Sequence, residues 1–220
     1  AGGFVTPIEP LMLDGGRKDP TQQDGARVED PALTAGRALA GLLGADAGSV
    51  AEATAAPGAA VLGTVASAQI SDLVEQTIRT SDNVLAEVLA REVAIERKAE
   101  PSFDGAAAQT LVALSQAGFD TAGAQLVDGS GLSTTDRVPA QLLGAVLAQA
   151  AAPAQGVRDT QFLRPIITGL PVAGGDPAQI SQSTTNATFA ATYFPNDDRV
   201  LFTADQGGNG SGDKEQPPAT

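Results

Sequence analysis

The spacing of hydrophobic positions changes period several times along this chain, and the changes mark out its elements. Residues 1–31 alternate short apolar pieces, Phe4-Val5 and Leu11-Met12-Leu13, with Gly-, Pro- and Asp-rich stretches such as Asp14-Gly15-Gly16-Arg17. That mixture reads as an irregular ordered segment rather than a helix. Leu33 to Leu43 follows a helical period, with Leu39, Leu42 and Leu43 on one side and Gly44 placed to stop it, which predicts a first surface helix. Between Val50 and Ser67, Val61-Leu62 and Thr64-Val65 lie beside Gly63 and behind Pro57-Gly58, a pattern that predicts one or two strands with a turn.

A helical period returns with Ile70, Leu73, Val74 and Ile78, and Thr80-Ser81-Asp82-Asn83 interrupts it with side chains that favour caps and turns. The run that follows carries Leu85, Val88, Leu89 and Val93 on one face, with Glu87, Arg91 and Glu96 elsewhere, so Ser81-Asp82-Asn83 is predicted at a helix-to-helix corner. Ala106 to Ala117 reads as a third helix closed by Gly118, Ala124 to Val127 as a short strand, and Pro139 opens a helix through Ala150. Phe189 to Phe194 and Arg199 to Ala204, joined by Pro195-Asn196-Asp197-Asp198, predict a terminal hairpin. Residues 206–220 are Gly-, Asp- and Pro-rich and are predicted to be a disordered tail. Helices in the middle with strands towards both ends predict an α/β fold, a sheet flanked by helices.

Composition narrows the chemistry. The 220 residues are 42% hydrophobic, enough for one good core, or for one domain and part of another. Aromatics are only 4%, so helices are expected to pack on small side chains. Net charge is -13 with no basic cluster able to neutralise phosphates, which argues against nucleic acid as a partner. The absence of His and Cys excludes a Ser-His-Asp triad, thiol chemistry and the usual zinc sites. Asp and Asn within 205–213 lack a proper calcium-loop pattern, so no metal or cofactor is expected. No apolar stretch approaches the ~20 residues that span a bilayer. The start at Ala1-Gly2-Gly3, with neither Met nor a signal-peptide core, reads as processed or excised.

Two motifs carry candidate chemistry. Ser81-Asp82-Asn83 is one of the three elements of active-site serine penicillin-recognising enzymes, the others being Ser-x-x-Lys and Lys-Thr-Gly. Asp128-Gly129-Ser130-Gly131-Leu132-Ser133 follows some forty-five residues later. Each alone has a plain structural reading, a helix cap for the first and a glycine turn for the second.

Taken together with their flanks, these residues resemble the penicillin-binding D-alanyl-D-alanine carboxypeptidase/endopeptidases of the DacB type, the S13 serine peptidases. The resemblance runs in family order through Leu11 to Gly16, Asp30-Pro31-Ala32, Ala35 to Ala38 and Leu42-Leu43-Gly44. It continues through Ser81 to Asn83 with Ala86-Glu87, Asp128 to Ser133 with Arg137-Val138, and Leu170 to Gly174. It implies the C-terminal part of a transpeptidase/β-lactamase-like domain over residues 1–205: a mostly antiparallel sheet flanked by helices, incomplete in this chain. It also implies an extracytoplasmic, cell-envelope location, peptidoglycan stem peptides as substrate and, in a complete enzyme, β-lactams as ligands.

Serine attack on an amide needs a proton acceptor, which in this family is a Lys held neutral by its surroundings. By resemblance, Ser81 would relay a proton towards the leaving amine and Asn83 would hold a substrate amide. Asp82 reads as a structural capping carboxylate, and Asp128, Gly129, Ser130 and Gly131 as support for a loop near the cleft. Arg137 has two readings, a partner for an acid that shapes the loop or a solvated surface side chain.

The family pattern breaks at two places. The only Lys residues are Lys18, Lys98 and Lys214, and Ser211-Gly212-Asp213-Lys214 matches Ser-x-x-Lys in letters but precedes no apolar helix. No Lys stands between Lys98 and Lys214, where Lys-Thr-Gly belongs, and Ile167-Thr168-Gly169 precedes the Leu-Pro-Val-Ala-Gly stretch and has no charge for a substrate carboxylate. The resemblance therefore places the nucleophile in a segment N-terminal to Ala1, which would be a partner of this chain, and predicts that the 220 residues alone do not acylate. Three explanations fit: a piece of a split enzyme, part of a longer chain, or a non-acylating member that serves as a scaffold or binds wall peptide.

Overall fold

The computed structural model describes residues 3–54, 56–61, 63–152, 161–170, 190–193 and 200–204. Helices dominate: α1 Pro31–Leu42, α2 Ile70–Thr80, α3 Asn83–Glu96, α4 Phe103–Gln116, α5 Ala140–Ala151 and the short α6 Arg164–Thr168. Three strands, β1 Met12–Leu13, β2 Ala190–Tyr193 and β3 Val200–Ala204, form one sheet in the order β1-β3-β2. β2 pairs antiparallel with β3, from Ala190↔Thr203 to Tyr193↔Val200, as the hairpin pattern predicts. β1 pairs parallel with β3, Met12 opposite Thr203. The described residues thus show a mixed, helix-rich fold with one parallel and one antiparallel pairing. The connection at Pro195 to Asp198 and the 206–220 tail lie outside them.

Three of the described helices, α1, α3 and α4, begin at a side-chain cap. Asp30 Oδ1 accepts the Leu33 N–H at 2.8 Å, Asp82 Oδ1 accepts that of Leu85 at 3.0 Å, and Ser102 Oγ accepts that of Gly105 at 3.1 Å. Each satisfies one of the orphan donors of a first turn. Glu9 adds a second acceptor at the start of α1, taking the Ala32 N–H at 2.8 Å. Gly44 and Gly118, both at positive φ, follow α1 and α4 as expected.

The core sits where β1 meets α3. Met12 is fully buried and packs with Val84 and Val88, and Val5 and Ile8 close over it from the N-terminal segment. A Met in that setting removes its whole side chain from water, worth about 1.5–3 kcal/mol.

Two expectations are corrected and one is met. Residues 50–67 contain no strand among those described: they run exposed, with Val61 79% accessible, and among the described residues no strand lies beside them to take their backbone groups. The predicted surface helix forms as α1, which turns the small residues Pro31, Ala35 and Ala40 inward and leaves Leu39, Leu42 and, just past its end, Leu43 exposed. On α3 the buried set is Val84, Glu87, Val88, Arg91 and Ala94, so two charged residues read as lying off the apolar face are inside.

Met12→Ala should lower unfolding free energy by about 2–4 kcal/mol, the loss of a buried side chain plus its cavity, as read by urea denaturation.

Candidate functional site

The corner between α2 and α3 is built by three consecutive residues with different tasks. Ser81 ends α2 in the left-handed region, φ 53° and ψ 44°. A non-glycine residue there is held by its surroundings, since the conformation costs roughly 1 kcal/mol or more. Asp82 starts α3 as its cap, and its own N–H reaches back to the Thr77 carbonyl at 3.2 Å. Asn83 is the first helical residue and is half-buried, whereas Ser81 is exposed. Among the described residues nothing hydrogen-bonds the Ser81 hydroxyl or the Asn83 side-chain amide.

Residues 14–28 brace this corner. The segment is closed by backbone bonds from Lys18 N to Ala26 O (2.9 Å) and Val28 N to Gly16 O (2.8 Å). Arg27 ties it further, donating from Nε, Nη1 and Nη2 to the carbonyls of Gly3, Gly15 and Gln23 at 2.8, 2.7 and 3.0 Å. Burial, and then the nearby Arg17, push the Arg27 guanidinium below the ordinary arginine range. From this segment the Gln23 side-chain amide donates to the Thr80 carbonyl, and Arg17 Nη2 donates to Asp82 Oδ2 at 3.0 Å. Arg17 Nη1 holds Asp14 Oδ1 at 2.6 Å.

The second motif is fastened to the same helix. Glu87, 1% accessible, lies four residues after Asn83, hence on the same face of α3 and about 6 Å further along its axis. Its Oε1 accepts the N–H groups of both Gly129 and Ser130 at 3.0 Å, and its Oε2 accepts Arg91 Nη1 at 2.8 Å. The Arg91 guanidinium lies 4.3 Å over the Phe103 ring, linking α3 to α4 through a cation–π contact. The loop lies so close to the helix that a Cβ on Gly129 would come within 2.5 Å of the Ala90 Cβ. The structure therefore brings the Asp128 loop to the same helix as the Ser81 corner.

Within the loop, side chains do the work of a strand ladder. Asp128 Oδ1 and Oδ2 accept the N–H groups of Gly131 and Ser133 at 2.6 and 2.7 Å, and Asp136 Oδ1 accepts that of Val127 at 2.8 Å. Gly131 has φ +77°, which an L side chain resists. The strand predicted over Ala124 to Val127 reduces to one antiparallel bridge, Gln125 with Arg137, because Asp136 takes the next donor. The Arg137 guanidinium is exposed and donates to the carbonyls of Thr134 and Asp136, so the solvated reading holds. Among the described residues nothing hydrogen-bonds the buried Asp136 Oδ2; the carboxyl is pushed above the usual range by burial first, with Asp128 beside it adding to the rise.

Comparison with known proteins by sequence gives the family. Residues 9–196 match the D-Ala-D-Ala carboxypeptidase 3 (S13) family. The chain belongs to that family. Among its curated relatives, "Carboxypeptidase Rv3627c" of Mycobacterium tuberculosis is 44% identical over 173 residues, covering 79% of this chain and 36% of the relative. "Carboxypeptidase DacB" of Mycolicibacterium smegmatis is 43% identical over 178 residues, covering 79% of this chain and 37% of the relative. The S13 chain described here thus spans little more than a third of the length of these relatives. No solved structure matches it.

The residue pattern marks Glu87 only as a flank of the motif and gives Arg17, Arg91 and Asp136 no place in the site. The available signal for the pair was Glu87 and Arg91 at i, i+4 spacing, with Glu87 one turn from Asn83.

Glu87→Gln keeps one acceptor for the loop but leaves the buried Arg91 without its counter-ion, so stability should fall by about 3 kcal/mol in urea titration. Hydrogen exchange at the Gly129 and Ser130 amides should speed up with it. For Asp136, a raised carboxyl pKa means the folded state holds the proton more tightly, so its ionisation opposes folding as pH rises above ~4, the unfolded value. Asp136→Asn should therefore melt higher than the parent at pH 7, with the gap closing towards pH 3.5 in thermal scans.

Proposed function

We infer that this chain carries the proton-relay and substrate-holding corner of a serine-type D-Ala-D-Ala carboxypeptidase/endopeptidase that acts on peptidoglycan stem peptides outside the cytoplasm. The observation that carries the reading is the Ser81 hydroxyl and Asn83 amide, unengaged by any other described residue, at a rigid helix corner in a member of the S13 family. Cell-wall peptide chemistry supports an extracytoplasmic location, and no described helix is long and apolar enough to cross a membrane. The family also supports a complete fold in which a mostly antiparallel sheet lies between helices.

In this reading a serine supplied from outside these 220 residues attacks the carbonyl carbon of the penultimate D-Ala. Its Oγ–C bond forms as the C–N bond to the terminal D-Ala breaks. The serine proton passes to a neutral Lys and reaches the leaving amine through the Ser81 hydroxyl, which can donate and accept at once. Asn83 binds the backbone amide of the peptide and orients the scissile bond. Asp128, Gly129, Ser130 and Gly131 keep the loop beside α3 in place. Water then hydrolyses the acyl-enzyme, and β-lactams acylate the same serine.

The absence of a Ser-x-x-Lys helix start and of a Lys between Lys98 and Lys214 favours a second reading, a non-acylating envelope scaffold or peptidoglycan-binding module. Fluorescent penicillin separates the two. The isolated 220 residues should take up no covalent label, and the complete product of the gene should be labelled. In that product Ser81→Ala should slow acylation about 100-fold, the usual scale of a lost proton relay. Asn83→Ala should mainly weaken substrate binding. Label on the isolated chain, or none on the complete product, overturns this account.

A further inference from the structure

We propose that Arg17 is a positioning residue for the Ser81–Asn83 corner, acting through Asp82; this rests on the functional reading above. The Asp82 carboxylate has two tasks, divided between its oxygens. Oδ1 caps α3 at Leu85, and Oδ2 takes the Arg17 guanidinium. With both oxygens held, Asp82 has one orientation, and its two chain neighbours, the relay hydroxyl and the substrate amide, inherit it.

The setting makes Arg17 the hub of this arrangement rather than a surface ion pair. Its side chain is 14% accessible, and its two carboxylate partners, Asp14 and Asp82, are 5% and 12% accessible. Asp14 sits at φ 50° and Ser81 at φ 53°, so the guanidinium joins two turns that each hold a non-glycine residue in the left-handed region. Such turns persist only where several contacts agree on them. The planar guanidinium offers one Nη to each carboxylate at once; a single ammonium cannot reproduce that fork. The Gln23 bond to the Thr80 carbonyl holds the preceding residue from the same segment. Without Arg17, the poorly solvated Asp14 and Asp82 carboxylates would keep the field of Arg27 nearby but not its donors, which are committed to the carbonyls of Gly3, Gly15 and Gln23. Asp82 would then swing from its cap, taking the hydroxyl and the amide with it.

Hydrogen exchange on the 220-residue chain tests the brace without any activity. Arg17→Ala should speed exchange of the residue 81–85 amides about tenfold or more while α4 amides change less than about twofold, because only a local opening becomes easier. Arg17→Lys, which keeps the charge and loses the fork, should fall between. Unchanged protection at 81–85, or an equal loss in α4, overturns the proposal. In the complete gene product, Arg17→Ala should lower the acylation rate constant by penicillin about tenfold with little change in the preceding non-covalent affinity. Added to Ser81→Ala it should cost nothing further, since both act on one step; multiplying losses overturn the proposal. If Ser81→Ala acylates as fast as the parent, the functional reading fails, and the exchange result still decides whether Arg17 sets the corner.

Discussion

The described part of this molecule is organised around one buried carboxylate. Glu87 is inside, among Val84, Val88 and Ala94 on α3, where an unpaired charge would be expelled or neutralised. It stays because each oxygen is committed: one to two loop N–H groups, the other to Arg91. In exchange it fixes three things that have no other common support, namely the Asp128 loop, α3 and, through Arg91 over Phe103, α4. Its contribution lies less in net stability than in specifying one arrangement. A hydrophobic residue there could fill the space and still leave the loop unanchored.

A second charged group works by the same logic at the cap of α3, one turn before Glu87. Arg17 joins the turn at Asp14 to the cap at Asp82, as Glu87 joins the loop at Gly129 to the helix interior. The two are opposite in sign and both act mainly on backbone geometry. α3 thus carries a cap-side anchor and, one turn further along, a loop-side anchor, with Asn83 between them. Ser81 is exposed and Asn83 half-buried, whereas the charged groups that support them are hidden.

Much of this was legible in the residues. Cap-forming Ser81-Asp82-Asn83 between two apolar helical runs located the corner, Gly44 and Gly118 marked helix ends, and the late apolar runs marked both strands of the hairpin. Local chemistry decides those features. What was not legible depends on partners distant in sequence. Periodicity sets Glu87 and Arg91 off the apolar face because it cannot see the loop forty residues away that receives Glu87, or the Phe103 ring under Arg91. Val61 and Val65 look like strand residues, yet a strand needs a neighbour and among the described residues none lies beside them. On α1 the buried residues are Pro31, Ala35 and Ala40, which the spacing of its leucines does not reveal. The role of Arg17 rests on Asp82, sixty-five residues on.

The parallel pairing of β1 with β3 joins Met12 to Thr203, nearly opposite ends of the described chain. Closing a pair across such a span comes late, because the entropy of that loop is lost before any bond between the strands forms. Met12, however, also packs on Val84 and Val88, which are made long before residue 203. During synthesis, therefore, the N-terminal segment has a docking place on α3 while the last strand is still inside the ribosome. The order in which contacts become available thus favours assembling the Ser81 corner first and adding β3 to a corner already in place.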